Sequence, residues 1–156
     1  MVITILILRY NGGVASEWAD TTLGALRRRG RRTGAARAAV VGVLGRQSCC
    51  LTAQEIYDQL RDEQRPVGIA SVYRALDQLS SEGFVQKIEL GAGTTRYEPV
   101  HPDGEHHHHL VCDACGKVEA FADDRLERAL HRVENETGYR VAAHDVVLRG
   151  ACSDCR

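Results

Sequence analysis

The sequence predicts an α+β chain in two parts, a winged helix-turn-helix followed by a small C-terminal α/β domain. Three observations predict it. Apolar residues recur at helical spacing up to about residue 81, and a glycine-rich turn flanked by short apolar runs follows, the pattern of helices and then a hairpin. Two Cys-x-x-Cys pairs, Cys112/Cys115 and Cys152/Cys155, bracket the last third of the chain. Charge divides the same way: residues 1–99 carry 13 Lys or Arg against 10 Asp or Glu, whereas residues 100–156 carry 7 against 11. A basic front half and an acidic back half rich in metal-ligand residues suggest two separate tasks.

Residues 1–18 read as a disordered extension, with Val14 a plausible true start. The apolar run Val2–Leu8 is too short for a membrane helix and lacks the flanks of a signal peptide. Residues 19–99 form the expected winged helix. A short helix over Leu23–Arg29 ends near Gly30, and a second covers Ala35–Leu44. Thr52 caps a third, with Glu55 three residues on completing a capping box. Arg65-Pro66-Val67-Gly68 breaks the chain before a fourth helix from about Ala70 to Ser81, which buries Val72, Leu76 and Leu79. Phe84-Val85 and Arg96-Tyr97 then flank the turn Gly91–Thr94.

In this order the helix at 70–81 is the recognition helix. Its outward side carries Ser71, Tyr73, Arg74 and Gln78, of which Tyr and Arg can reach phosphates and base edges. The arginines Arg27, Arg28, Arg29, Arg31, Arg32 and Arg37 gather near one helix entrance, an arrangement costly to assemble without a polyanion to meet it. These residues point to double-stranded DNA as partner.

Residues 100–156 read as strand, knuckle, strand, helix, strand, knuckle. His106–Val111 is the first strand, Cys112–Gly116 the turn and Lys117–Phe121 the return strand. Asp123 or Asp124 caps a helix that runs to about Thr137 and stops at Gly138, and extended segments follow over Tyr139–Arg149. Each Cys-x-x-Cys places two sulfurs on one turn, and two such pairs close a four-thiolate structural zinc site. Disulfides or a thioredoxin-like motif are the competing readings; six cysteines in 156 residues is sparse for a disulfide scaffold.

The run His106-His107-His108-His109 supplies further ligands. Side chains alternate along a strand, so His106 and His108 share one face and His107 and His109 the other. Glu127 and His144 suit the first face; Glu98, His101 and Cys50 suit the second. Two rival functions follow from the same residues. A zinc hydrolase or deaminase needs an open zinc position and a Glu base, but the chain has neither His-x-Glu before Pro-Cys-x-x-Cys nor His-Glu-x-x-His. A redox switch would use Cys49-Cys50.

Gly68-Ile-Ala-Ser-Val-Tyr-Arg74, His106-His-His-His-Leu-Val-Cys-Asp-Ala-Cys-Gly-Lys117 and Gly150-Ala-Cys-Ser-Asp-Cys155 together resemble the ferric uptake regulator family of bacterial metalloregulators over residues 23–156. The resemblance implies a cytoplasmic homodimer, with an N-terminal winged helix for DNA and a C-terminal α/β dimerisation domain over residues 100–156. It implies structural zinc on Cys112, Cys115, Cys152 and Cys155, and a site within the dimerisation domain on His106, His108, Glu127 and His144. It also implies a sensing site at the domain junction on His107 and His109 with Glu98 or His101. Many members add a His from the DNA-binding domain. Cys50 stands in its place in this chain. The four unbroken histidines and the Cys-Ser-Asp-Cys ending look most like the zinc uptake regulator branch, and a soft junction site suits Zn²⁺ better than Mn²⁺. Glu98 keeps the iron branch open, with Fe²⁺ at the regulatory site, and a peroxide-sensing member is a further alternative. The expected function is a metal-responsive repressor, with zinc as corepressor at metal-uptake genes and an inverted-repeat operator.

Overall fold

The computed structural model describes residues 12–156 except for 48, 92 and 102–106, with side chains from residue 17 onward. The chain divides into two units, one within residues 9–105 and one within residues 106–156.

The first unit begins with α1 (Gly12–Arg28), followed by α2 (Ala35–Leu44), the two-residue strand β1 (Leu51–Thr52), α3 (Ala53–Asp62) and α4 (Ile69–Ser81). Strands β2 (Val85–Glu89) and β3 (Thr95–Pro99) complete it. The capping box at α3 is formed as the sequence predicts. Glu55 N donates to Thr52 Oγ1 at 3.0 Å, and Thr52 N to Glu55 Oε2 at 2.7 Å. α4 starts one residue before its predicted position, at Ile69, and ends beside Gly83, whose φ of 77° suits a residue without Cβ. β2 and β3 pair antiparallel from Val85↔Pro99 to Glu89↔Thr95, and β1 adds to β3 through Leu51↔Tyr97, giving a three-stranded wing. One apolar core holds the helices on this sheet, with Leu26, Val40, Val43, Leu44, Ile56, Leu60, Val72, Leu76 and Leu79 fully or almost fully buried.

The start of α1 corrects the sequence reading. The helix begins at Gly12, not near Leu23, and so takes in residues 12–18 of the expected disordered extension. The reason lies in tertiary contact. Trp18 is buried in the core, and its Nε1 donates to the Val100 carbonyl at 3.1 Å. Burying a tryptophan with its N–H satisfied stabilises a helical turn that local propensity alone leaves open. The amide of Val100 in turn donates to the Phe84 carbonyl at 2.9 Å. The predictions for residues 1–11 lie outside the described residues.

The second unit holds β4 (His108–Cys112), β5 (Val118–Phe121), α5 (Asp124–Thr137) and β6 (Val147–Gly150). β4 is central in the order β5-β4-β6, antiparallel to β5 and parallel to β6. Asp123 caps α5, its Oδ1 accepting from the amides of Arg125 at 2.7 Å and Leu126 at 3.1 Å. Gly138 ends the helix with φ 71°, the left-handed conformation that glycine adopts at least cost. The extended stretch predicted over Tyr139–Arg149 reduces to β6, all four of whose residues are exposed. No described helix is long and apolar enough to cross a membrane.

Candidate metal centres and nucleic-acid face

The two Cys-x-x-Cys turns meet because β4 and β6 are parallel neighbours. Pairing Cys112 with Gly150 brings the turn after β4 alongside the turn after β6. The sulfurs of Cys112, Cys115, Cys152 and Cys155 all lie within 4.8 Å of one another, and Cys115 Sγ to Cys152 Sγ is 3.8 Å. That separation far exceeds an S–S bond of about 2.05 Å. It equals the ligand–ligand edge of a tetrahedron with bonds of about 2.3 Å, the geometry of zinc on four thiolates. Among the described residues no cysteine is in a disulfide. Backbone amides also favour a thiolate at Cys112. The amide of Cys152 points at Cys112 Sγ at 3.4 Å, and with the amides of Cys115 and Ala114 it brings the Cys112 thiol down to about 6. Cys155 is pushed up to about 12 by the sulfurs of Cys152, Cys115 and Cys112.

A second cluster lies at the other end of β4, which runs from His108 to Cys112. Glu127, in the first turn of α5, reaches His108 Nε2 with one oxygen at 2.7 Å and His144 Nε2 with the other at 3.2 Å. The two imidazoles stand 5.4 Å apart between centroids, and His108 packs on Phe121 at 5.5 Å. His108, Glu127 and His144 thus offer two nitrogens and a carboxylate to one point, a donor set suited to zinc and to other borderline divalent cations. His106, the fourth residue expected here, lies outside the described residues.

Strand alternation sends the neighbouring histidines the other way. His107 and His109 share a face with ring centroids 5.0 Å apart. The remaining residues predicted for the sensing site, Cys50, Glu98 and His101, belong to the winged-helix unit. Glu98 sits on β3 and accepts a hydrogen bond from Gln86 on β2. Cys50 is buried just before β1, and its carbonyl accepts from Arg96 at 3.4 Å. The adjacent Cys49 sulfur, burial and the Glu98 charge all hold the Cys50 thiol well above the ordinary thiol range. Cys49, read from sequence only as one half of a possible redox pair, has its sulfur 3.8 Å from that of Cys50. Nothing in a linear spacing marks that convergence.

On α4, Tyr73 and Arg74 are exposed, and Arg74 donates to Ser71 Oγ at 2.9 Å. Part of the arginine cluster is paired within the chain. Arg29 and Arg31 both bind the Glu82 carboxylate, at 2.9 and 2.8 Å, and Arg29 also lies over the Phe84 ring. Arg37 donates to the Gln78 side chain and to the Arg32 carbonyl. Both guanidinium groups of Arg29 and Arg31 stay more than half exposed while paired, so each can still face a polyanion. A carboxylate at the end of α4 already offsets their repulsion, and it lies about 50 residues away in sequence, beyond any local charge count.

Comparison with known proteins agrees with this architecture. The model of the ferric uptake regulator family matches residues 28–149. The chain is 35% identical over 106 residues to the ferric uptake regulation protein of Neisseria meningitidis serogroup A, covering 68% of this chain and 72% of that one. Among solved structures, the Vibrio cholerae ferric uptake regulator superposes with a TM-score of 0.73 at 31% identity, covering 83% of this chain and 98% of that one. The Helicobacter pylori regulator superposes with a TM-score of 0.78 at 28% identity, covering 94% and 96%. The winged helix, the four-cysteine cluster and these matches have one common meaning: the chain belongs to the ferric uptake regulator family of metal-responsive transcriptional regulators, not to the enzymes.

Proposed function

We propose that this protein is a cytoplasmic, zinc-responsive repressor of metal-uptake genes that binds an inverted-repeat operator as a homodimer. One observation carries the reading: a winged helix that presents Tyr73 and Arg74 shares its chain with a unit holding both a four-sulfur and a two-histidine, one-carboxylate cluster. Structural zinc on Cys112, Cys115, Cys152 and Cys155 would neutralise four converging thiolates and tie the turn after β4 to the turn after β6. The Helicobacter relative is a regulator with three functional metal-binding sites.

Two further sites are assigned on that pattern. His106, His108, Glu127 and His144 hold one. His107 and His109, with Glu98 or His101 and with Cys50, hold the regulatory one. Cys50 makes that last set softer than an all-nitrogen-and-oxygen set, which favours zinc. Dimerisation is supported by Val133, Tyr139, Val141, Val147 and Leu148, large apolar side chains exposed on the second unit.

Metal regulates only through its preference for the DNA-competent state. Moving a population from mostly open to mostly closed takes about 5 kcal/mol of differential binding. Ligands drawn from both units supply such a difference, because the metal then fixes the spacing of two recognition helices that must meet half-sites about one helical turn apart. Iron is the second reading, favoured by Glu98 as an oxygen donor and by relatives at about a third identity that are ferric uptake regulators. The test is operator binding measured across buffered Zn²⁺ and Fe²⁺ series, with metal content determined at each point. His107→Ala should yield a folded protein with its structural zinc that no longer responds to metal. A variant that switches like the parent would overturn the regulatory assignment.

A further inference from the structure

The pair Cys49-Cys50 is unusual in its direction. Successive side chains of an extended chain point to opposite sides, yet here, between α2 and β1, the two sulfurs come within 3.8 Å. That is the same separation as between Cys115 and Cys152 in the four-sulfur cluster, and the edge that a tetrahedral cation with bonds of about 2.3 Å requires. The place is structurally anchored. Leu51 pairs with Tyr97, the Cys50 carbonyl accepts from Arg96, and Arg96 also binds Glu55 at 3.2 Å. Cys50 is buried and Cys49 half-buried.

We propose that Cys49 and Cys50 act together as a bidentate two-thiolate edge for a thiophilic cation of the Zn²⁺ or Cu⁺ class. On binding, each thiol releases one proton as its sulfur–metal bond forms, and no electrons are exchanged. Two thiolates from one chain turn discriminate against Mn²⁺, which prefers oxygen-rich sets, more strongly than Cys50 alone. The inference rests on the reading of Cys50 as a metal ligand and adds Cys49, which that reading does not contain.

The test uses Co²⁺ as a spectroscopic probe on full-length protein carrying one zinc per chain, counted before and after titration. Bound Co²⁺ should show thiolate-to-cobalt charge-transfer absorption. That absorption should fall by about half in Cys49→Ser, and equally in Cys50→Ser, since each removes one of two sulfur ligands. Equimolar Zn²⁺ should displace the cobalt, and Mn²⁺ should not. Cys49 is half-buried, so Cys49→Ser keeps the test independent of any folding defect in Cys50→Ser. An unchanged band in Cys49→Ser would overturn the proposal while leaving Cys50 as a lone ligand. Bound Co²⁺ without any thiolate band in the parent would remove both cysteines, and the metal response of His107→Ala would then judge the regulatory assignment separately.

Discussion

Replacing Cys112 by Ser should cost the C-terminal unit its fold, and its anatomy says by how much. Apart from Cys112 itself, its buried apolar residues are Ala120 and Phe121, and α5 has no buried residue among those described. Burying one Phe side chain contributes about 1.5–3 kcal/mol. Zinc in small structural sites contributes on the order of 10 kcal/mol of binding free energy that is also folding free energy. Whole domains are stable by only about 5–15 kcal/mol. A unit with so thin an apolar core cannot absorb the loss. The winged helix can, because its core residues all lie between Trp18 and Tyr97. Circular dichroism melts with zinc analysis are the assay. The variant should lose its zinc and one thermal transition and keep the helical signal of the first unit. A zinc-free Cys112→Ser that retains both transitions would refute the reasoning.

Tyr73→Ala and Arg74→Ala should each weaken operator binding by about 1–3 kcal/mol with metal content unchanged, read by mobility shift against operator and scrambled duplexes. Arg32→Ala should instead weaken binding to both duplexes alike and flatten the salt dependence. Glu82→Gln should loosen the attachment of Arg29 and Arg31. The hydrogen bond from Arg29 holds the Glu82 carboxyl below its usual value, so its stabilisation is present above the unfolded carboxylate range and is lost as pH falls through the lower folded value. The parent should therefore lose more thermal stability between neutral and acid pH than Glu82→Gln does. Gly138→Ala should cost about 1 kcal/mol by chemical denaturation. No neighbouring atom lies within 4 Å of the added methyl, so the cost is that of a positive φ alone.

Features that depend on nearby residues were legible in the sequence. Thr52 and Glu55 are three residues apart, so their reciprocal caps can be read from spacing. The same holds for the Gly91–Thr94 turn, for Gly138 and for each Cys-x-x-Cys. The pairing of the two cysteine turns was also accessible, because four thiols of that pattern have few other uses. What could not be read depends on tertiary partners. The start of α1 depends on Val100, which Trp18 meets across 82 positions. Two-residue β1 exists because β3 offers it an edge. Charge counts saw six arginines but not Glu82. β6 has no buried alternation to detect, since its exposed residues are set by pairing with β4.

The hydrogen bond between Trp18 and Val100 has a practical consequence. Val100 is held from both sides, by the indole on its carbonyl and by Phe84 on its amide, so the polypeptide leaves the wing from a fixed mooring. Trp18 is also the one tryptophan in the sequence. The chain thus carries its single tryptophan where the polypeptide leaves the wing. Its emission should shift toward that of a water-exposed indole whenever the mooring slips, without an attached label.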